Sequence, residues 1–219
     1  MRRDLKITED GSHTFIAEGL DEPYHSLHGA IQESEHVFIR HGFQRIEKSS
    51  FRILEAGLGT GLNMLLTYRE AMDQDVRVFY HAVEKYPLTP SEYTKLNYEK
   101  QLNIVPSGIL QKIHEAPWEE TVSLSDNFQS LKEPSDFRSM QPSGKFDLVY
   151  FDAFAPEKQP HLWKEPVFDK IFRIMNPGGI WVSYTAKGNV KRALLSCGFE
   201  VEKVPGPPGK REMLVATRM

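Results

Sequence analysis

The hydrophobic pattern changes character near residue 51. Before it, a polar start gives way to "HTFIAEGL", which alternates as a strand does. "GAIQESEHVFIRHGF" then sets Ile31, Ser34, Val37, Phe38 and His41 at helical spacing. After it, short apolar runs alternate with helix-length segments, the signature of a mostly parallel sheet with crossover helices. "FRILEAG" reads as the first strand of that sheet and "TGLNMLLTYREAM" as its helix. "RVFYHAVEK" is the second strand, and "TPSEYTKLNYEKQL" a helix that Thr89 or Ser91 can cap. "ILQKIHEAP" is expected to be the third strand, whereas "TVSLSDNFQSLKEPSDFRSM" has no helical period and is expected to form an inserted hairpin or loop. "KFDLVYFDAF" is the fourth strand. "EPVFDKIFRIM" is a helix with Val167, Ile171, Ile174 and Met175 inward, and "NPGG" is its stop signal. The tail supplies strand "GIWVSYT", helix "KGNVKRALLSCG", and strands "FEVEKV" and "REMLVATRM" joined by "PGPPGK", so the last strand should run antiparallel to its neighbours. The expectation is an α/β domain with a seven-stranded sheet over residues 51–219, and residues 1–50 as an N-terminal extension packed on it.

Composition narrows the function classes. A chain of 219 residues that is 40 % hydrophobic can build a core. With 27 basic against 30 acidic residues, no whole-molecule field draws it to a polyanion or an anionic membrane, so any such partner must meet a local patch. The one cysteine, Cys197, in "LLSCGF", reads as a packed thiol and points to a reducing compartment. "MRRDLKITED" has no apolar core of a secretory signal and no later run reaches membrane-spanning length, so the expected location is the cytoplasm. Of the eight histidines, His25 and His28 lie close together, but without a Cys/His set of known spacing no metal site is expected.

The chemistry-bearing segment is "LEAGLGTGLN", with Gly57, Gly59 and Gly61 at the turn from first strand to first helix, where a missing β-carbon lets a ligand approach the backbone. Glu84, at the end of the second strand, can accept hydrogen bonds from ribose hydroxyls. The third glycine comes one residue too early for the dinucleotide fingerprint. Glu55, just before the turn, would repel a phosphate and attract the ammonium and sulfonium charges of S-adenosylmethionine. The pattern leans to a methyl donor. Asp152 ends the fourth strand at the sheet edge where ligands sit, positioned to accept a hydrogen bond from an amine nucleophile and align it. Phe154 is placed to stack on a planar base, and Pro156 to stiffen the loop between them.

Together "EAGLGTGLN", "VEKYPLT", "DAFAPEKQPHLW", "NPGG" and "GKREML" resemble the methyltransferase domain of the bifunctional tRNA 5-methylaminomethyl-2-thiouridine biosynthesis proteins, MnmC, and their stand-alone relatives, MnmD. "DGSHTFIAEGLDEPYHS" and "ESEHVFI" fit the same family, so the resemblance covers nearly the whole chain. It implies a class I S-adenosylmethionine-dependent methyltransferase fold, Rossmann-like, and methyl transfer to the 5-aminomethyl nitrogen of a (2-thio)uridine at the tRNA wobble position. By position it carries cofactor binding onto Glu55, Gly57, Gly59, Gly61, Asn63 and Glu84, and onto Asp152 contact with both cofactor and amine. "IHEAPWEE" lacks the Gly-Asp expected after the third strand, which leaves the adenine contact open among Glu115, Trp118 and Glu119. The length leaves no room for the flavin-dependent oxidase half, so the aminomethyl substrate is expected to come from another source.

The tRNA anticodon region would then be the partner, with neither a membrane nor an obligate protein partner expected. Lys187, Lys191, Arg192, Lys203, Lys210 and Arg211 are candidates for the basic patch it needs, Lys210 and Arg211 foremost because they sit in a Gly/Pro loop. Two rival readings differ in class. An aminopropyltransferase of the spermidine synthase type would carry a second acidic residue after Asp152, where Ala153 and Phe154 stand. A cofactor-sensing RNA-binding module would need no acid there.

Overall fold

The computed structural model describes residues 2–219, so Met1 of the 1–50 segment lies outside the described residues. Strands β1 (Arg3–Ile7), β2 (His13–Ala17) and β3 (Glu22–Pro23) form a small antiparallel sheet. Helix α1 (Ala30–Ser34) widens into a π-helical stretch, Glu35–Arg40, which buries Val37, Phe38 and Ile39. The main sheet then begins with β4 (Ser50–Ala56), helix α2 (Leu62–Asp73) and β5 (Arg77–Val83), as the apolar runs predict. The predicted helix after β5 is two short ones, α3 (Pro90–Tyr93) and α4 (Tyr98–Leu102). Thr89 is the cap of α3, its N–H donating to Glu92 Oε2 at 2.7 Å.

The third strand is not where the pattern predicts it. "ILQKIHEAP" forms helix α5 (Ile109–Glu115), with Ile109, Leu110 and Ile113 on one buried face, and the expected hairpin is real: β6 (Thr121–Ser125) and β7 (Phe128–Glu133). Its second arm is the missing strand, pairing parallel with β5. The chain continues with β8 (Phe146–Phe151), α6 (Glu165–Ile174), β9 (Met175–Ser183), α7 (Gly188–Ser196), β10 (Phe199–Pro205) and β11 (Glu212–Arg218). "NPGG" lies inside β9, where the β8 register shifts, so α6 ends at Ile174 and Met175, predicted on the helix, is the first residue of β9.

The sheet has eight strands, one more than predicted, in the order β10-β11-β9-β8-β4-β5-β7-β6. The additional strand is β6, antiparallel at one edge; β11 is antiparallel to both neighbours, as expected. Strand alternation sorts the core into two layers. Ile53, Tyr80, Leu148, Tyr150 and Val182 pack toward α2, whereas Leu54, Val149, Phe151, Trp181 and Leu214 pack toward α6 and α7. Cys197 is partly buried at the margin of the second layer. The N-terminal segment is tied to the rest by hydrogen bonds from Arg3 to Glu92 (3.1 Å), from the His13 N–H to Asn97 Oδ1 (3.0 Å), and between His25 Nε2 and Thr60 Oγ1 (2.8 Å). Among the described residues, no helix is long and apolar enough to cross a membrane.

Candidate active site

Register places four strand ends at one rim. Ala56 pairs with Val83 and Phe151, and Val83 with Glu133. The turns that follow are stitched to one another: Gly57 N–H donates to Val83 O (2.9 Å), Asp152 N–H to Ala56 O (3.0 Å) and Glu84 N–H to Glu133 O (3.0 Å). A cavity of about 450 Å³ opens above this rim, within the size range of small-molecule sites. Of the predicted residues, Gly57, Gly59, Glu84, Asp152, Phe154 and Lys210 line it; Glu55, Gly61, Asn63, Glu115, Trp118, Pro156 and Arg211 do not.

Each glycine has a different task. Gly57 has φ 93°, and a β-carbon there would lie 2.8 Å from the Asp152 carbonyl oxygen. Gly59 donates its N–H to Glu84 Oε2 (2.9 Å), and a β-carbon on it would meet the Tyr24 ring at 3.0 Å. Gly61 faces away from the cavity, against His114 on α5, so it serves helix packing and not the ligand.

Glu55 also needs correction. It shares strand parity with Ile53, so its side chain points beneath the turn toward α2 and is fully buried. Burial, with the Asp152 charge adding to it, pushes its carboxyl well above the usual range, which favours the neutral acid over an ammonium-binding anion. Asn63 joins it to the site: one side-chain amide donates to Glu55 Oε1 (3.0 Å) and to Asp152 Oδ2 (2.8 Å). Asn63 is therefore a support under Asp152. Burial raises Asp152 to about 7, the charge of Glu33 adds to this, and the Asn63 hydrogen bond and Lys210 oppose it.

The loop after Asp152 is fixed by hydrogen bonds more than by Pro156, which is buried. Phe154 N–H donates to Gln159 Oε1 (3.1 Å), Trp163 Nε1 donates to Phe154 O (2.8 Å), and the Tyr184 hydroxyl donates to Ala153 O (2.9 Å). The Phe154 ring meets Tyr24 edge to face at 5.0 Å. Tyr184→Phe leaves the Ala153 carbonyl without this donor. Denaturant unfolding is expected to show a loss of about 1 kcal/mol, with turnover falling more than cofactor affinity.

Glu115 and Trp118 lie outside the cavity lining because the segment before them is helix α5 and not the third strand. Glu115 Oε1 accepts from Gln111 (2.8 Å) and the Tyr93 hydroxyl (3.3 Å), and Trp118 packs with the α2 layer beneath the Lys132 ammonium at 4.4 Å. The residues that follow the true third strand at the rim are Ser135, Asp136 and Phe137. Asp136 is paired with Arg138 and Lys85, which hold its carboxyl well below the usual range. The basic patch is also reduced: Lys187 pairs with Glu157 (2.8 Å), Lys203 with Glu212 (2.6 Å) and Lys210 with Glu33 (2.7 Å), while Arg211 is exposed.

The residues present fit an adenosyl sulfonium cofactor. The glycine turn leaves space that side chains would fill. Glu84 offers a carboxylate at the second strand end, and with Asp136 and Glu33 already paired to lysines, Glu22, Glu84 and Asp152 outnumber Lys158, the remaining lysine of the lining, so the cavity keeps an acidic balance suited to a cation.

Comparison with known proteins agrees with this geometry. The family of S-adenosyl-L-methionine-dependent methyltransferases matches residues 75–219. The tRNA 5-methylaminomethyl-2-thiouridine biosynthesis bifunctional protein MnmC of Hydrogenovibrio crunogenus is 32 % identical over 97 % of this chain and 33 % of its own length. That of Methylobacillus flagellatus is 30 % identical over 87 % of this chain and 32 % of its own. The chain thus spans about a third of the length of the curated relatives it matches. The crystal structure of MNMC2 from Aquifex aeolicus superposes with a TM-score of 0.80 at 29 % identity, over 99 % of this chain and 70 % of that one. DesVI of Streptomyces venezuelae, at 12 % identity and a TM-score of 0.52, shares the fold over 86 % of this chain and 92 % of its own. With a glycine turn, a second-strand glutamate and a fourth-strand aspartate at one rim, and with this family matching most of its length, the chain belongs to the S-adenosylmethionine-dependent methyltransferases.

Proposed function

We propose that this enzyme acts in the cytoplasm on tRNA, methylating the 5-aminomethyl nitrogen of a (2-thio)uridine at the wobble position. The observation that carries the reading is Asp152: a carboxylate at the rim, steadied by Asn63 and lining the same cavity as Phe154. Kinship to MnmC proteins and to Aquifex MNMC2 supports the substrate class.

The bound cofactor supplies a methyl group on a positively charged sulfur. The chain supplies placement. Glu84 would accept from the ribose hydroxyls, the backbone at Gly57 and Gly59 would hold the methionine portion, and Asp136 with Phe137 would border the adenine. Ionised Asp152 accepts a hydrogen bond from the acceptor amine, which keeps the nitrogen lone pair directed at the methyl carbon, and then holds the proton the nitrogen releases. Phe154 and Tyr24 offer aromatic surface to the uracil. The described residues of the N-terminal extension, 2–50, pack on the catalytic domain 51–219 and supply Tyr24, His25 and Glu33 to the cavity lining. Arg211, exposed beside the mouth, is the remaining candidate of the predicted pair for a phosphate contact.

The test is to incubate the protein with S-adenosylmethionine and tRNA bearing 5-aminomethyluridine, digest to nucleosides and measure mass. The modified nucleoside is expected to gain one CH2 group. No gain, with cofactor binding intact, overturns the substrate.

A further inference from the structure

Glu33 is a buried carboxylate that the methyl-transfer geometry does not use. It sits on α1 with its side chain 7 % exposed. Its Oε2 accepts the Ser26 N–H at 2.7 Å, which fixes it to the backbone, and its Oε1 accepts from Lys210 Nζ at 2.7 Å. The same ammonium lies 4.0 Å from the centroid of the Tyr184 ring. Glu33, Tyr184 and Lys210 all line the cavity that contains Asp152.

A backbone-fixed carboxylate beside an aromatic face is a receptor for a primary ammonium. Lys210 is an alkylammonium, the same group that an aminomethyl side chain presents when protonated. The two partners differ in freedom. Glu33 is buried on a helix, whereas Lys210 comes from the Gly206–Arg211 connection between β10 and β11 and its side chain is 36 % exposed at the cavity mouth. Exchange of one ammonium for another leaves Glu33 paired throughout, so the cost of an uncompensated buried charge is avoided.

We propose that Glu33 and the face of Tyr184 form the docking subsite for the acceptor's protonated aminomethyl group on arrival, which Lys210 fills as an internal stand-in until the substrate ammonium displaces it; the docked ammonium gives one proton to solvent before the neutral amine turns to Asp152. This rests on the amine-methylation reading. It gives Lys210 a place inside the site instead of a fixed phosphate contact, and it makes the acceptor compete with a group of the enzyme itself.

The experiment uses the full chain saturated with S-adenosylhomocysteine, and titrates 5-aminomethyluridine as the free nucleoside, which has no phosphate, by calorimetry. Lys210→Met removes the competing cation and keeps the stem. Nucleoside affinity is expected to rise about fivefold or more, because the subsite no longer has to be vacated. In steady state the same variant should lower KM for the nucleoside. Glu33→Gln is expected to weaken nucleoside binding about tenfold or more, through loss of a charged partner, with no change in the binding of 5-methyluridine. S-adenosylhomocysteine affinity and thermal melting report whether each variant is folded. A folded Lys210→Met whose nucleoside affinity equals or falls below wild type overturns the stand-in, as does a folded Glu33→Gln with wild-type affinity. Wild-type turnover on aminomethyl tRNA is measured alongside. Its absence overturns the substrate reading, and with it the occupant named here, whereas its presence with unresponsive variants overturns the subsite alone.

Discussion

Asp152→Asn is expected to lower turnover by about two to four orders of magnitude while the protein stays folded and still binds cofactor. An asparagine can keep the Asn63 contact through its carbonyl oxygen. It then turns an N–H2 group toward the cavity, where the amine needs an acceptor. The pH profile makes the test specific. With Asp152 titrating at about 7 in the folded chain, kcat/KM of the wild type should rise with pH through that region as the carboxylate forms, and the asparagine variant should lose this limb. The linkage has the opposite sign. The folded value is raised above the ordinary one near 3.8, so the protonated group favours the fold; that contribution is full below about pH 4 and is lost as pH rises to about 7. Above pH 7 the asparagine variant should therefore melt higher than the wild type while being nearly inactive. A variant that keeps the acidic limb would show that another group sets it.

Gly57→Ala is expected to cost about 2–5 kcal/mol of stability, from left-handed backbone strain plus forced separation of packed atoms, and to abolish measurable cofactor binding. The new methyl would meet a backbone atom, the Asp152 carbonyl oxygen, at 2.8 Å. That atom can move only if the ends of β4 and β8 spread, and the spreading carries Asp152 away from the glycine turn. Gly178→Ala is the control: φ there is 77°, yet nothing lies within 4 Å of the added carbon. It should cost the strain alone and leave binding intact. Equal losses in denaturant titrations of the two variants would remove the close approach as the cause.

Much of this arrangement is legible in the chain. β4, β5 and β8 are apolar runs, and a turn residue with chemistry follows each, so Gly57, Glu84 and Asp152 can be placed at one rim before any coordinates. The third strand escapes for a physical reason. Its inward positions are Phe128, Ser130 and Lys132, all buried, and two of the three are polar. Hydrophobicity therefore marks the neighbouring helix Ile109–Glu115 instead, and the error propagates to the rim, where Glu115 and Trp118 stand in for Asp136 and Phe137. Glu55 shows a different limit. Its position before the glycines is visible, but only its parity with Ile53 tells that it points under the turn. Tyr24, Glu33 and Tyr184 could not be found by spacing, because distant parts of the chain meet to make their contacts; Glu33 and Lys210 are 177 positions apart.

The placement of β11 between β9 and β10 bears on when the protein becomes competent during its synthesis. A nascent chain that has emerged only as far as β10 has no neighbour for that strand, and Glu33 has no lysine. Residues 206–218 then complete the sheet and the mouth of the cavity in one event. Until the ribosome has released this segment, the half-made enzyme lacks Lys210 at the mouth of its catalytic chamber.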